Sequence, residues 1–216
     1  MTQRFARTVT GLLIAAAAAA LASAELRADP LPGRIEVRGL TGSASYSMAG
    51  SAGVRLRTGS VIPVGAIIKT EPRSAVDLSF SHNAGVVRLL QSSTLSVDKF
   101  ALTDGTPGSA VEVQLYLSEG SMVGFEKTLG PASRFQVKVP QGIADVTAAK
   151  YRMSAQGYLV LLEGTAVFVF VPSGGEPVPF ELKAVSPIYF SPFEGIKPAP
   201  AELVREVTLQ TKGKLR

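Results

Sequence analysis

The chain has no cysteine and no tryptophan, and one histidine among its 216 residues. Without cysteine there can be no disulfide, and no lipoprotein anchor, which requires an acylated cysteine at its cleavage site. With His82 as the sole imidazole, any Ser-His-Asp arrangement would have to use it. One histidine, no cysteine and no carboxylates clustered at ligand spacing leave no basis for a metal site, and no cofactor is expected. Nor is there a run of five or six like charges of the kind that marks a polyanion-binding tail, so a nucleic-acid partner is not expected. The last five residues, Lys212 to Arg216, carry three bases and read as a solvated end.

What the chain does have begins with a polar opening containing Arg4 and Arg7, followed by the apolar run Val9 to Leu21 and then Ala22-Ser23-Ala24. A positive start, a short apolar stretch and a small-x-small ending are the three parts of a secretory signal. A membrane span needs about 20 predominantly apolar residues, and this run is shorter, Ala-rich and ends in a cleavage site. Cleavage after Ala24 is expected, giving a periplasmic or extracellular chain from Glu25 with no stable membrane span. Arg4 and Arg7 are not adjacent, which favours the general secretory route. Without them the balance is 20 basic against 17 acidic residues, a net charge of +3. A chain of this length buries about 70% of its unfolded surface without disulfides, so one domain is expected.

Arg27 to Gly33 holds two prolines and closes a linker over 25–33. From Ile35 onward the apolar residues recur with a period of two. Val76, Leu78 and Phe80 share a face; so do Val111, Val113, Leu115 and Leu117, and so do Phe135, Val137 and Val139. Such alternation belongs to strands with one apolar and one polar face. Tyr158 to Leu162 and Ala166 to Val171 are more continuously apolar and predict strands buried on both faces. Turn formers separate the runs, among them Glu71-Pro72, His82-Asn83-Ala84-Gly85, Asp104-Gly105-Thr106-Pro107-Gly108 and Ser173-Gly174-Gly175. The expected fold is all-β, with layered sheets as in a sandwich or solenoid, over residues 34–193. In the tail, 194–216, Ala201 to Gln210 reads as a short helix or a terminal strand.

The pattern Leu-x-x-Gly-Ser/Thr-x-Val/Ile occurs three times, at Leu56 to Ile62, Leu117 to Val123 and Leu161 to Val167. Each glycine, Gly59, Gly120 and Gly164, stands where one strand ends and the next begins, so all three are expected to be structural. The unequal spacing excludes a strict repeat array. Together with Gly65 to Thr70, Ser74 to Phe80, Gly85 to Leu89 and Phe135 to Pro140, in that order, these segments resemble the FecR-like domain of bacterial envelope proteins. The likeness runs from about Ile35 to Val171. It implies an exported all-β sensing or scaffold domain, with Leu161 to Val167 as a closing Glu-Gly hairpin. The Arg-Gly-Thr step common in that family is absent from Ala144 to Lys150. Only a few residues precede the apolar run, so the sigma-regulator function of some family members does not simply carry over, and what the resemblance implies is the exported sensing or scaffold domain.

Taken with that resemblance, the absence of catalytic residues favours a non-catalytic binding or scaffold module of the cell envelope, with a role in surface signalling through a protein partner as one form of it. A glycan- or peptidoglycan-binding module is the alternative, weakened by the absence of tryptophan. His82 reads as a turn residue. Asp77, Asp98, Glu112, Glu119, Glu126 and Asp145 read as the wet faces or ends of strands. The candidate partner surface is Tyr189, Phe190 and Phe193, although the tendency of aromatics to be buried favours a closing strand of the core.

Overall fold

The computed structural model describes residues 31–103 and 110–211. The signal segment, the Asp104 to Gly108 turn and the Lys212 to Arg216 end lie outside these described residues. Among the described residues no helix is long and apolar enough to cross a membrane.

The fold is a curled sheet with two facing arms. In the first arm, β3 (Ala44–Ser47), β6 (Ile67–Thr70), β9 (Thr94–Leu102), β10 (Val111–Glu119) and β12 (Arg134–Val139) lie side by side. In the second, β2 (Ile35–Thr41), β7 (Ala75–Phe80), β8 (Gly85–Leu89) and β11 (Ser121–Phe125) do the same. The long strand β13 (Gly142–Ser154) joins them, pairing with β12 along its first half and with β11 along its second. Opposite this join, β4 (Val54–Arg55) pairs with β3 and β5 (Val61–Ile62) with β2, so the segment between them closes the curl. The proline-containing β1 (Leu31–Pro32) adds to β9, so pairing begins within the stretch expected to be a linker.

The period-two residues point into the space between the arms, where one continuous core forms. Phe80 of β7 meets Phe100 of β9 edge-on at 5.4 Å between centroids, and Phe135 of β12 at 5.8 Å, which ties one arm to the other. Burying a side chain of this size contributes about 1.5–3 kcal/mol.

The chain crosses repeatedly from arm to arm, and four of these corners stack. They lie at Gly42-Ser43, Glu71 to Ser74, Leu90 to Ser93, and Gly120. Main-chain bonds run from corner to corner: Glu71 N–H to the Ser43 carbonyl (3.0 Å), Ser92 N–H to the Glu71 carbonyl (3.3 Å) and Leu90 N–H to the Ser121 carbonyl (3.0 Å). Buried hydroxyls satisfy the remaining groups. Thr70 accepts from Ser93 N–H, Ser74 from Ser43 N–H, and Ser93 from Ser121 N–H. Each corner places one residue at positive φ: Gly42, Arg73, Ser92 and Gly120. Gly120 has no alternative, because a Cβ there would fall 2.1 Å from Ser93 Oγ and 2.7 Å from the Ser92 carbonyl oxygen.

The segment Leu161 to Val167 is not a hairpin. It lies within one strand, β14 (Leu159–Phe170), paired along its length with β13. Gly164 marks a distortion in it, at φ +87° and against Ala148, which is itself at φ +46°. This paired irregularity bends β13 and β14 from one arm into the other. Burial differs on either side of the bend. Leu159, Val160 and Leu161 are all buried, as the unbroken apolar run implied, whereas Val167 is exposed. There the outer face of β14 looks to solvent beside β15 (Val178–Lys183).

Past Phe193 regular structure continues to Thr211. β16 (Ile188–Ser191) pairs with β14 and with β17 (Gly195–Pro198), and α1 (Ala201–Thr211) follows, so the helical alternative for Ala201 to Gln210 is the one adopted. The Pro200 carbonyl accepts from Val204 N–H and starts the helix. A proline cannot donate within a strand, but it is well tolerated beside a helix N-terminus.

Candidate functional site

The site is built on the outer face of the second arm. In the β7–β8 hairpin Phe80 pairs with Gly85, so Asp77 falls opposite Arg88. Their neighbours Val76, Leu78, Val87 and Leu89 point into the core, so both charged side chains point outward. Register carries this row onward: Arg88 opposes Val123, Val123 opposes Arg152, Arg152 opposes Val160, and Val160 opposes Tyr189. Six strands thus present Asp77, Arg88, Val123, Arg152, Val160 and Tyr189 side by side. Gly39 on the adjoining β2 makes room for the first of them, since a Cβ there would press on the Asp77 carboxylate.

Helix α1 lies across this row. Arg152 Nη1 donates to Glu206 Oε1 at 2.7 Å, and Arg88 Nη1 donates to the main-chain carbonyl of Gln210, also at 2.7 Å. Between these ties Val207 is fully buried. Val123, Val160 and Val207 are all buried yet stand apart from the main core, and the helix packs against β11 and β14, the strands that carry the first two. Under the helix, Arg88 grips Asp77 through Nε (2.5 Å) and Nη2 (2.8 Å), a bidentate geometry. The Asp77 side chain keeps only 7% of its exposure. The expectation of a wet-face carboxylate fails for Asp77 because the Arg88 guanidinium lies over it from the neighbouring strand and Gly39 of β2 leaves its carboxylate room against the sheet.

Beside the end of α1 lies a groove of about 470 Å³, floored by the corner residues Ser74, Leu90, Gly120 and Ser121 and walled by Arg73, Gln91, Arg152, Glu206 and Gln210. Arg73 stands at its rim with φ +57°, its N–H donating to Gln91 Oε1 at 2.9 Å. Gln210 Oε1 is buried and without a hydrogen-bond donor. Guanidinium and amide groups of this kind recognise carboxylates and carbonyls, and arginine gives up no proton in doing so.

The aromatic segment divides. Phe190 points inward and packs on Phe168 and Phe180, with centroids 4.9 and 4.8 Å away. Tyr189 points outward and stacks on Tyr158 at 6.1 Å with planes 13° apart, and partial burial pushes its phenol up. Phe193, 76% exposed, stands on the turn after β16. Of the three residues read as a partner surface, Phe190 is core and Tyr189 lies on the row of the groove. His82 is remote from it, at the opposite end of the β7–β8 hairpin. There His82 and Asn83 both have φ near +56°, with Ala84 N–H bonded to the Ser81 carbonyl, the arrangement of a tight hairpin turn.

A second departure from the wet-face expectation is Glu126, directly after β11. Its carboxyl is buried against Tyr151, and neither group has a partner at hydrogen-bonding geometry. Burial pushes the carboxyl well above the usual carboxylate range, with the Tyr151 hydroxyl offsetting part of the rise; burial also pushes the Tyr151 phenol up. A small pocket roofed by Lys127, Leu129, Gly130 and Pro131 adjoins them. Of the remaining carboxylates named from sequence, Glu112, Asp145 and Asp98 pair with Lys99, Arg134 and Lys138, and Glu119 accepts from the Thr94 hydroxyl. Arg73, Arg88, Arg152, Glu206 and Gln210 were not singled out from sequence. The hairpin register alone could have paired Arg88 with Asp77.

No protein-family model matches the chain, and no curated protein does either. Among solved structures it is similar to a protein provisionally described as an anti-sigma factor, from Parabacteroides distasonis ATCC 8503. The two are 14% identical, with a TM-score of 0.45, over 64% of this chain and 62% of that one.

Proposed function

We propose that the domain is a non-catalytic binding and scaffold module of the bacterial cell envelope, exported by its N-terminal signal, which meets a protein partner through the groove beside α1. The FecR-like order of segments supports an envelope sensing or scaffold role, with surface signalling as its setting. The observation that carries the reading is Arg73. A non-glycine residue at positive φ is held against a cost of about 1–3 kcal/mol, and such outliers concentrate at functional sites. Glycine fills two of the stacked corners, yet here a long cation is kept at the groove rim, where it has no ion-pair partner among the described residues.

The test is capture from envelope extracts by the mature chain, compared with Arg73→Glu. A protein retained by the parent and lost by the folded variant supports the reading. Equal retention by both removes the groove from it. A glycan-binding module is the second reading, favoured by the stacked Tyr158–Tyr189 pair. A glycan array would show retention that depends on Tyr189 and not on Arg73.

A further inference from the structure

Helix α1 fits the outer row as a ligand fits a receptor. It contributes nothing to the main core, and its one buried residue, Val207, lies where the helix packs on β11 and β14, the strands of the buried Val123 and Val160. Among the described residues its side-chain ties to the sheet are Glu206 on Arg152 and the Gln210 carbonyl on Arg88. Because Arg152 belongs to β13 and Arg88 to β8, the helix runs across the strands, along the row. Its last turn carries no basic residue, so a cation of the sheet, Arg88, supplies the positive charge that a helix C-terminus favours.

We infer that this row is a docking site for an amphipathic helix of a protein partner, and that α1 is its built-in occupant, displaced when the partner binds. The inference rests on the protein-partner reading above and names the surface. The partner chemistry follows from the row. A carboxylate meets Arg152, a small or β-branched apolar residue next to it enters between Val123 and Val160, and main-chain carbonyls of the helix end meet Arg88.

Length supports an occupant larger than α1. From β7 to β16 the row spans five inter-strand steps of about 4.8 Å, roughly 24 Å in all. The 11 residues of α1 span about 16 Å. The uncovered ends of the row are the Arg73 groove and the Tyr158–Tyr189 stack, so a longer helix gains contacts that α1 lacks. Displacement is open to α1 because an 11-residue helix without tertiary support is marginal in water and melts on release.

The test uses the full mature chain and a labelled synthetic peptide covering residues 199–211. Val207→Asp weakens the apolar contact of α1, and Glu206→Lys reverses its charged tie; the second lies at the surface and leaves the core untouched. Hydrogen exchange of the α1 amides reports undocking in each. Both variants are expected to lose protection in α1 alone and to bind the peptide about tenfold more tightly than the parent. The same peptide carrying Glu206→Lys should not bind. If α1 is released and the peptide still fails to bind, the row is not a receptor, and the protein-partner reading stands on the Arg73 test alone. If α1 stays protected in both variants, it is a fixed part of the fold and the inference is overturned.

Discussion

Arg88 is the hinge pin between sheet and helix: its Nη1 donates to the Gln210 carbonyl, 122 residues further along the chain, while Nε and Nη2 hold Asp77. One guanidinium thus binds a main-chain carbonyl in the last turn of the helix and neutralises a carboxylate on the neighbouring strand.

Removing that guanidinium leaves Asp77 buried and uncompensated. Arg88→Met is expected to cost about 3–5 kcal/mol, read as a lower urea midpoint at unchanged slope. The double variant Asp77→Leu with Arg88→Met should recover much of the loss, because a buried pair replaced by apolar residues of similar volume is often neutral. A double variant as unstable as the single one would show that the loss comes from the uncapped helix instead.

Glu126 gives the fold a pH dependence of definite sign. Burial raises its pKa in the folded protein, so the folded state holds the proton more tightly than the unfolded chain. Stability is therefore complete below about pH 4.5, the ordinary value of the group, and declines as pH rises toward the raised folded value. Glu126→Gln mimics the neutral form. It should match the parent in Tm near pH 4 and exceed it increasingly as pH rises above that ordinary value. Parallel curves for parent and variant would mean that water reaches the carboxylate.

Replacing Arg73 by glycine separates strain from recognition. Glycine adopts φ +57° freely, so Arg73→Gly should keep or raise the denaturation midpoint, by up to about 1 kcal/mol. Capture of the envelope partner should fall in the same variant. Lower stability would show that the side chain supports the corner, and would take away the reason for calling it a recognition residue.

The all-β class and the core were legible because inward residues such as Val76, Leu78 and Phe80 keep the period of the pleat, and burial follows period directly. The turn at His82 was legible for the same local reason. The outer row was not. Arg88, Val123, Arg152 and Val160 come from four strands, and their adjacency depends on ladders that link β8 to β11 and β11 to β13. Asp77 and Glu126 looked like wet-face carboxylates because alternation places a residue on a strand face but does not show what packs over that face, the Arg88 guanidinium on one and Tyr151 beside the other. Tyr189 and Phe190 were weighed together, as a buried closing strand or as a surface, but adjacent residues of a strand face opposite ways.

The three glycines of the Leu-x-x-Gly pattern share a sequence context and a positive φ, but not an environment. At Gly120 an added Cβ meets Ser93 Oγ and the Ser92 carbonyl, and at Gly164 it falls 2.3 Å from the Ala148 carbonyl oxygen. At Gly59 it meets nothing within 4 Å. All three alanine variants carry the cost of a left-handed backbone, about 1 kcal/mol. In Gly120→Ala and Gly164→Ala the clash with main-chain atoms adds to it. The corner stack and the β13–β14 bend must shift together, for a total on the order of 2–4 kcal/mol. The expected order of denaturation midpoints is therefore parent, then Gly59→Ala, then the other two well below. Circular dichroism at a fixed urea series measures all four proteins. A Gly59→Ala variant as damaged as Gly164→Ala would show that φ alone sets the cost. A Gly164→Ala variant as stable as the parent would mean that the bend in β14 does not need the close approach of Ala148, and β13 could then pass between the arms without its bulge.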